Sequence, residues 1–387
     1  MIHRVLFMIS SMRGGGSERQ TLMLLKHLDR SRFLPHLYVM ERAGDLLCQV
    51  PADVPIHSFE DVRKEPMVYL PGGMMRQQIR HLQELLSNES IDVIYDRTFH
   101  MTMIAGPASR QRKIPRISTI VSPPELALPL VEKRFVRMKR HRLAKAYKAS
   151  RQIIAVSKIA ADSATNFYQL PSNSITVLPN PVDTDALRQT IEQEQRPETA
   201  PTLKLVCVGR MTEEKGHRDL LDAIVIAQAN WPNANPAIQL RLIGDGPLRT
   251  DLELQAREIR KPHSVEFSGT LSNVGPSIIN SDALILPSLF EGMPNVVLEA
   301  MALGTPVIAT RAGGTIELER EEPTILWADP RNPTSLAKAI LALASDPKSA
   351  ARRTQAATRL ITEHHNIETT CHHLEHYLTA ACVNDRK

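Results

Sequence analysis

The chain has 387 residues, of which 42% are apolar and 23% charged, and this composition is typical of folded globular protein. The length indicates two domains, or at most three. Aromatic residues make up only 4% of the chain and the net charge is a modest +5. A protein that binds nucleic acid by stacking bases on aromatic rings needs more of them, so no nucleic-acid partner is expected.

The four cysteines show no spacing typical of a metal or redox site, and a reducing compartment is the simplest interpretation. The apolar run Val5–Ile9 is too short for a signal peptide and is typical of a first strand. No segment approaches the roughly 20 apolar residues that span a bilayer. We therefore expect a cytoplasmic protein, or one bound peripherally to the inner face of a membrane.

The first half of the chain alternates short apolar runs with longer amphipathic runs, which predicts a parallel sheet with helices on both faces. The strand-like runs are Val5–Ile9, His36–Met40, Asp92–Tyr95, Ile117–Val121, Ile153–Val156 and Ile175–Leu178. The helix-like runs are Ser17–Leu28, Gly73–Leu86, Leu130–Lys148 and Lys158–Tyr168.

A glycine turn, Gly14-Gly15-Gly16, follows the first strand and precedes a helix that we expect Ser17 to cap. Glycines let the backbone approach a phosphate or a sugar closely. The turn does not have the G-x-G-x-x-G pattern, so a dinucleotide site is poorly supported. A simple flexible turn is the alternative interpretation.

Residues 132–151 form a strongly basic stretch with a single acid, Glu132. Apolar residues are interleaved with the cations, and such a helix can lie on an anionic membrane surface. A solvated helix face with no partner is an equally good interpretation. The nine cations are Lys133, Arg134, Arg137, Lys139, Arg140, Arg142, Lys145, Lys148 and Arg151.

A polar stretch, Arg188–Thr202, separates this half from a second series of strands, and residues 181–202 are predicted to be a linker. The fold class is therefore α/β, with two Rossmann-like βαβ domains at residues 1–180 and 203–364 that face a cleft in which ligand binds. The second series of strand-like runs is Leu203–Val208, Gln239–Ile243, Val265–Phe267, Ala283–Leu286 and Val307–Ala309.

Two cations, Arg210 and Lys215, flank the turn that follows the strand Leu203–Val208. The carboxyl end of a parallel strand is where such sheets bind ligands, so these side chains are candidate binding residues. The alternative is an ordinary pair of surface charges.

Two carboxylates, Glu291 and Glu299, lie on either side of Pro294. In one continuous helix their Cα atoms would be about 12 Å apart, too far for a glycosidase pair with carboxyl groups roughly 5 to 9.5 Å apart. Proline favours the first turn of a helix, so we expect a helix that starts at Pro294 or Asn295. The backbone N–H groups of Met293, Asn295 and Val296 would then form an anion site suited to phosphate.

Near the C-terminus, His372 and His376 have the i, i+4 spacing that can place two imidazoles on one helix face. No acidic or cysteine partner accompanies them in a recognisable motif. We expect exposed helix residues here and not a metal site.

The segment Glu291–Glu299 resembles the E-x7-E signature of retaining glycosyltransferases with the two-domain GT-B fold, in particular family 4. Further segments resemble other motifs of that family, in the same order along the chain. These are Gly14–Gln20 ("GGxE"), Val208–Gly216 ("VGRxxxxKG"), Leu242–Leu248 ("GDGP"), Phe267–Gly269 ("FxG") and the distal loop Gly304–Gly314.

The resemblance implies transfer of a sugar from a nucleotide-diphosphate sugar with retention of configuration and without a metal or other cofactor. It implies that Arg210 and Lys215 bind the donor diphosphate, that Glu291 contacts sugar hydroxyls, and that Glu299 binds the ribose. It also implies that a last helix, within about residues 365–387, returns to the first domain. The catalytic candidates are Arg210, Lys215 and Glu291, and the donor-binding candidates are Gly15, Gly16, Gly209, Gly244, Met293, Pro294, Asn295, Val296 and Glu299.

One position departs from the family pattern. Members commonly carry a histidine in the first domain, after a strand like Ile117–Val121, where this chain has Ser122–Glu125. Asp96-Arg97 or His100, which follow the preceding strand, are candidates for the missing role, and absence of the role is the alternative.

We expect the acceptor to be a saccharide or a lipid-linked molecule in surface-polysaccharide or glycolipid assembly, by analogy with many such enzymes. A nucleotide-sugar epimerase of the same fold is the first alternative. A non-catalytic assembly protein that binds nucleotide sugars is the second.

Overall fold

The structure is a computed structural model and describes residues 2–64, 72–189, 202–232 and 234–383. The chain divides into two compact units. The first comprises Met1–Asn180 with Ile367–Lys387, and the second comprises Pro181–Asn366.

The first unit contains a seven-stranded sheet in the order β3-β2-β1-β4-β5-β6-β7, in which all paired strands are parallel. The run of apolar residues in β1 is buried because helices cover both faces of the sheet. The strands are β1 (His3–Ile9), β2 (Phe33–Val39), β3 (Ile56–Ser58), β4 (Val93–Arg97), β5 (Arg116–Ile120), β6 (Gln152–Ala155) and β7 (Ile175–Val177).

In the described residues, six α-helices of the first unit precede the second unit in the chain. Alternate residues of β1 face two separate cores, because side chains of a strand alternate between the faces of the sheet. Val5, Phe7 and Ile9 face one core, and Leu6 and Met8 face the other. The helices are α1 (Gly16–His27), α2 (Gly73–Asn88), α3 (Phe99–Arg112), α4 (Pro124–Val131), α5 (Val136–Lys148) and α6 (Lys158–Tyr168).

The second unit has a six-stranded parallel sheet in the order β10-β9-β8-β11-β12-β13. Its strands are β8 (Thr202–Val208), β9 (Ala237–Ile243), β10 (Ser264–Gly269), β11 (Ala283–Leu286), β12 (Val307–Thr310) and β13 (Leu326–Ala328). Its helices are α7 (Thr184–Gln189), α8 (His217–Ala229), α9 (Arg249–Gln255), α10 (Gly275–Ile279), α11 (Asn295–Ala302), α12 (Pro333–Ser345) and α13 (Pro347–His364).

The last helix, α14 (Ile367–Val383), belongs to the first unit and packs against α1, β1, β4 and β5. Leu374 and Leu378 are buried in the core there. The buried carboxylate of Glu375 accepts a hydrogen bond of 2.9 Å from the backbone N–H of Asp29 and pairs with Arg32 at 3.2 Å. The predicted fold class, including the helix that returns to the first domain, is confirmed.

Two predicted segments differ from the structure. The helix predicted over Leu130–Lys148 is two helices, α4 and α5, because the chain turns through Phe135, whose φ is 57°. Residues 181–189 of the predicted linker lie in the second unit, since the N–H of Val182 donates to the carbonyl of His365 at 2.8 Å. The linker residues 190–201 lie outside the described residues. Among the helices that the structure describes, none is long and apolar enough to cross a membrane.

Candidate active site

The loop after β8 carries the two predicted cations of the second unit. Arg210 is exposed, and Lys215 ends a short 3₁₀ turn, Glu213–Lys215. Gly216 follows with a φ of 67°, and a Cβ there would lie 2.0 Å from the carbonyl oxygen of Pro287. Only glycine therefore lets this loop lie against the loop that follows β11.

An ion pair joins these two loops. Nζ of Lys215 lies 2.6 Å from Oε1 of Glu291, whose side chain is only 11% exposed. Ser288 donates from its hydroxyl to the same carboxylate oxygen at 2.7 Å. The backbone N–H of Gly314, after β12, donates to the carbonyl of Glu291 at 3.0 Å. Two donors thus orient the carboxylate of Glu291, and a third holds its backbone.

The loop after β9 packs backbone to backbone on the loop after β8. Gly244 has a φ of 138°, and a Cβ there would lie 2.0 Å from the carbonyl oxygen of Gly209. The N–H of Met211 donates to the carbonyl of Asp245 at 2.9 Å. These contacts explain why glycine stands at position 244, where the two backbones meet with no room for a side chain, while position 209 has space for a Cβ.

Helix α11 begins at Asn295, with Pro294 at its N-cap position, as the proline predicted. Glu291 therefore precedes the helix and Glu299 lies inside it, as expected. Met293 and Pro294 are buried, while Asn295, Val296 and Glu299 are partly exposed. The first turn of a helix presents N–H groups and the positive end of the helix dipole, which together favour an anionic ligand.

The positions of these loops in the sheet explain why they meet. Strands β8 and β11 are neighbours, although β9 and β10 lie between them in the chain. This is the point where the strand order reverses, and ligands of open α/β sheets bind there, beyond the carboxyl ends of the strands. Lys215 follows β8 and Glu291 follows β11, so both lie at this point.

The glycine turn of the first unit is close to its prediction, with one correction. Helix α1 begins at Gly16 and its N-cap is Gly15, so Ser17 is not the cap. The carboxylate of Glu18 accepts a hydrogen bond from the N–H of Gly15 and another, of 2.6 Å, from the hydroxyl of Ser11. The side chain of Glu18 thus accepts the hydrogen bond of the N-cap residue Gly15, and Ser17 has no capping role.

The candidates for the missing histidine lie in and after β4. Asp96 is fully buried, pairs with Arg116 at 3.0 Å and accepts a hydrogen bond from Ser118 at 2.8 Å. This pairing makes Asp96 a residue of the core. His100 is partly exposed, and desolvation lowers its pKa despite the opposing charge of Glu132. His100 therefore remains a candidate for this role.

His217 was not singled out from the sequence. It is 1% exposed at the start of α8, and neither ring nitrogen has a hydrogen-bond partner among the described residues. Burial, assisted by the charge of Lys215, lowers its pKa to about 4. A Cβ on Gly209 would lie 3.9 Å from its ring. A neutral imidazole thus lies beneath the cation-bearing loop, and the sequence carried no motif for it.

One group of side chains in the described residues has the arrangement of metal ligands, and it belongs to the first unit. It consists of His36 on β2, His57 on β3 and Glu89 after α2. Nδ1 of His36 lies 3.0 Å from Nε2 of His57, and 4.0 Å from the Glu89 carboxylate. His372 and His376 are exposed on α14, as expected.

Comparison with known protein families agrees with this geometry. A family model described as Glycosyltransferase Family 4 matches residues 14–186, and one described as Glycosyl transferases group 1 matches residues 188–360. The chain belongs to glycosyltransferase family 4. Each model covers one half of the match, and together they reach from the glycine turn to α13.

Individual relatives of this family-4 chain are distant. It is 31% identical over 222 residues to glycogen synthase of Mycobacterium tuberculosis, a match that covers 57% of this chain and 52% of that protein. It is 30% identical over 150 residues to the lipopolysaccharide core biosynthesis glycosyltransferase LpsE of Rhizobium meliloti. This match covers 39% of this chain and 41% of that protein. The chain thus spans about half the length of the curated relatives it matches, or less.

Solved structures share the whole architecture. The crystal structure of Anabaena Alr3699/HepE in complex with UDP and glucose has a TM-score of 0.76 over 98% of this chain and 100% of that one, at 19% identity. At such low identity the likeness shows the fold alone, which is GT-B.

Proposed function

We propose that the protein is a retaining, metal-independent glycosyltransferase that moves a sugar from a nucleoside-diphosphate sugar to a saccharide or lipid-linked acceptor. The observation that carries this proposal is the pairing of Lys215 with Glu291 at the switch point of the second sheet, beside the N-terminus of α11. Cations and helix N–H groups can bind the negatively charged diphosphate, and an oriented carboxylate can accept hydrogen bonds from sugar hydroxyl groups.

In this proposal the second unit stabilises the charge that develops as the donor breaks. The bond between the anomeric carbon and the diphosphate oxygen breaks, and Arg210, Lys215 and the first turn of α11 stabilise the departing diphosphate. The acceptor oxygen bonds to the same face of the anomeric carbon, and its proton passes to the leaving phosphate. Glu291 holds sugar hydroxyls, and Glu299 binds the ribose of the nucleotide.

The donor half of the proposal has support from the Anabaena structure, whose fold is shared and which was solved with UDP and glucose. Uridine-diphosphate sugars are therefore the first donors to test. In this proposal Gly209 leaves the backbone open to the phosphates, since a Cβ there meets no atom closer than 3.7 Å, and Gly244, Gly15 and Gly16 are further donor-binding residues.

A membrane-bound acceptor is supported by the surface of residues 126–138. Among the exposed large apolar residues of the described chain, Leu126, Leu130, Val131, Phe135 and Met138 all lie in this short stretch. Phe135 is 72% exposed and Val131 is 68% exposed. They lie beside the cations of residues 132–151, and apolar side chains flanked by cations favour an anionic membrane surface. The likeness to a lipopolysaccharide glycosyltransferase agrees with a lipid-linked acceptor.

The proposal is tested by the configuration of the product. The protein is incubated in EDTA with a nucleoside-diphosphate α-sugar and a panel of saccharide and lipid-linked acceptors, and the anomeric signal is followed by NMR. The proposal predicts an α-linked product. A β-linked product would contradict retention, activity that needs an added divalent ion would contradict metal independence, and release of free epimer without acceptor would favour the epimerase alternative.

A further inference from the structure

A cavity of about 340 Å³ opens on the first unit between α2, α3 and α5. Its floor is apolar and is formed by Met75, Ile79, Met103, Pro107 and Ala146. The volume is in the range of small-molecule pockets. Arg142 and Lys145 of the basic stretch 132–151 line this cavity, and none of the lining residues belongs to the loops of the candidate active site.

Four cations surround the floor, and none of the residues that line the cavity is acidic. Two come from α2 and α3 and two from α5: Arg76, Arg110, Arg142 and Lys145. All four are exposed, and none forms an ion pair with any residue in the described part of the chain. Unpaired cations around an apolar floor favour a ligand that is anionic at one end and apolar at the other.

The floor of the cavity is held by close packing of α3 on α5. A Cβ on Gly106 would lie 2.7 Å from the Cβ of Ala146, so the two helices approach too closely for a larger residue there. The buried guanidinium of Arg116 donates to the carbonyl of Ala146 as well as to Asp96. The cavity therefore lies between elements that the core holds in place.

The cavity and the exposed apolar stretch lie along one face of α5. Met138, Arg142, Lys145 and Ala149 are spaced by four, three and four residues, which places them on one side of a helix. Met138 is 44% exposed, and Arg142, Lys145 and Ala149 line the cavity. A membrane that contacts Met138 would thus bring lipid to the mouth of the cavity.

We propose that this cavity binds a single anionic phospholipid, with acyl chain carbons on the apolar floor and the headgroup phosphate on the surrounding cations. A guanidinium group matches phosphate geometry, and three of the four cations are arginines. A free phosphate would use the cations but leave the apolar floor exposed. The inference rests on the proposed function only in expecting anionic lipid near α5, and it is independent of the donor site.

The test uses dihexanoyl-phosphatidylglycerol as a monomeric probe, with dihexanoyl-phosphatidylcholine and inorganic phosphate as comparisons, and calorimetry to measure affinity and stoichiometry. We expect one phosphatidylglycerol per chain and much weaker binding of the other two. Removing two cations in the Arg142→Ala, Lys145→Ala variant weakens binding about tenfold or more. The matched control, Arg137→Ala with Lys148→Ala, removes the same charge from exposed positions of α5 that do not line the cavity, and retains binding.

A second variant, Ala149→Trp, fills the cavity without changing charge and should abolish lipid binding. Equal weakening in the two charge variants would overturn the proposal in favour of a diffuse basic surface. Inorganic phosphate binding as tightly as the lipid, or full binding by Ala149→Trp, would also overturn it. Thermal stabilisation by donor nucleotide is also measured in every variant. A variant that loses lipid binding but is still stabilised by the nucleotide is folded, so its defect lies at this cavity and not at the donor site.

Discussion

The side-chain amine of Lys215 lies 2.6 Å from a carboxylate oxygen of Glu291, although 76 positions separate the two residues in the chain. Their loops meet because β8 and β11 are neighbours in the sheet. In the absence of donor, each charge partly neutralises the other. A diphosphate that engages Lys215 would compete with Glu291, which would leave that carboxylate available to sugar hydroxyls.

Removing either cation of the loop after β8 should slow the chemical step. Lys215→Ala and Arg210→Ala are each expected to lower kcat roughly tenfold or more, because in the proposed mechanism each removes a donor that stabilises the leaving diphosphate. Lys338→Ala, which removes an exposed cation from α12 of the same unit, is the control and should leave kcat unchanged. Unchanged turnover in both Lys215→Ala and Arg210→Ala would refute the assignment.

Gly216 should tolerate no side chain. Gly216→Ala places a Cβ 2.0 Å from the carbonyl oxygen of Pro287 at a φ of 67°, so the two loops must separate. We expect a loss of at least about 2 kcal/mol in the free energy of unfolding, measured with urea. In Gly209→Ala the new Cβ meets only ordinary contacts, the nearest 3.7 Å away on the Lys215 side chain, so its stability should change little. Equal stability of the two variants would contradict this account.

Much of this architecture follows from local sequence. Pro294 predicted the start of α11, and the alternation of apolar runs predicted both parallel sheets. The pairing of Lys215 with Glu291 could not be derived from spacing, because it depends on the order of strands in the sheet. The E-x7-E resemblance pointed to Glu291 and the "VGRxxxxKG" resemblance pointed to Lys215, but neither indicated that the two side chains touch.

The errors have local physical causes. Strands β3 and β13 were not predicted. Each has only three residues, which carry little periodic pattern, although β7 of the same length was predicted. The break between α4 and α5 has no glycine or proline at its turning residue, since Phe135 itself adopts a positive φ. Glu18 at the third position of α1, and not Ser17, satisfies the helix start. His217 lay outside every motif, and its burial is a property of the fold.

His217 should make stability depend on pH. Its pKa is lowered from 6.5 to about 4, so the unfolded chain binds its proton more tightly than the folded chain does. The stability associated with the neutral ring is therefore complete above about pH 6.5 and is lost as the pH falls towards 4. Relative to wild type, His217→Leu should gain about 2 to 3 kcal/mol of stability between pH 7 and pH 4.5. The free energy of unfolding of both proteins is measured with urea across this pH range. If it changes with pH by the same amount in both, the His217 ring does not titrate in this way.

The buried pair in the first unit should be structural. Arg116→Met leaves the carboxylate of Asp96 buried without its cation and should cost about 3 to 5 kcal/mol in the free energy of unfolding. The double variant Asp96→Leu, Arg116→Met removes both charges and should recover part of that loss. If the double variant is as unstable as the sum of the two single variants, the charges are not coupled and Asp96 needs another explanation.

The most direct test of the central claim is donor binding, measured as thermal stabilisation by a panel of nucleoside diphosphates and their sugars with EDTA present. A ligand at about one hundred times its Kd adds about 2.7 kcal/mol of stability, which is easily seen in Tm. The account predicts selective stabilisation by one nucleotide sugar, retained in EDTA and reduced in both Glu299→Ala and Lys215→Ala. Absence of stabilisation by any donor, or full stabilisation in both variants, would contradict it.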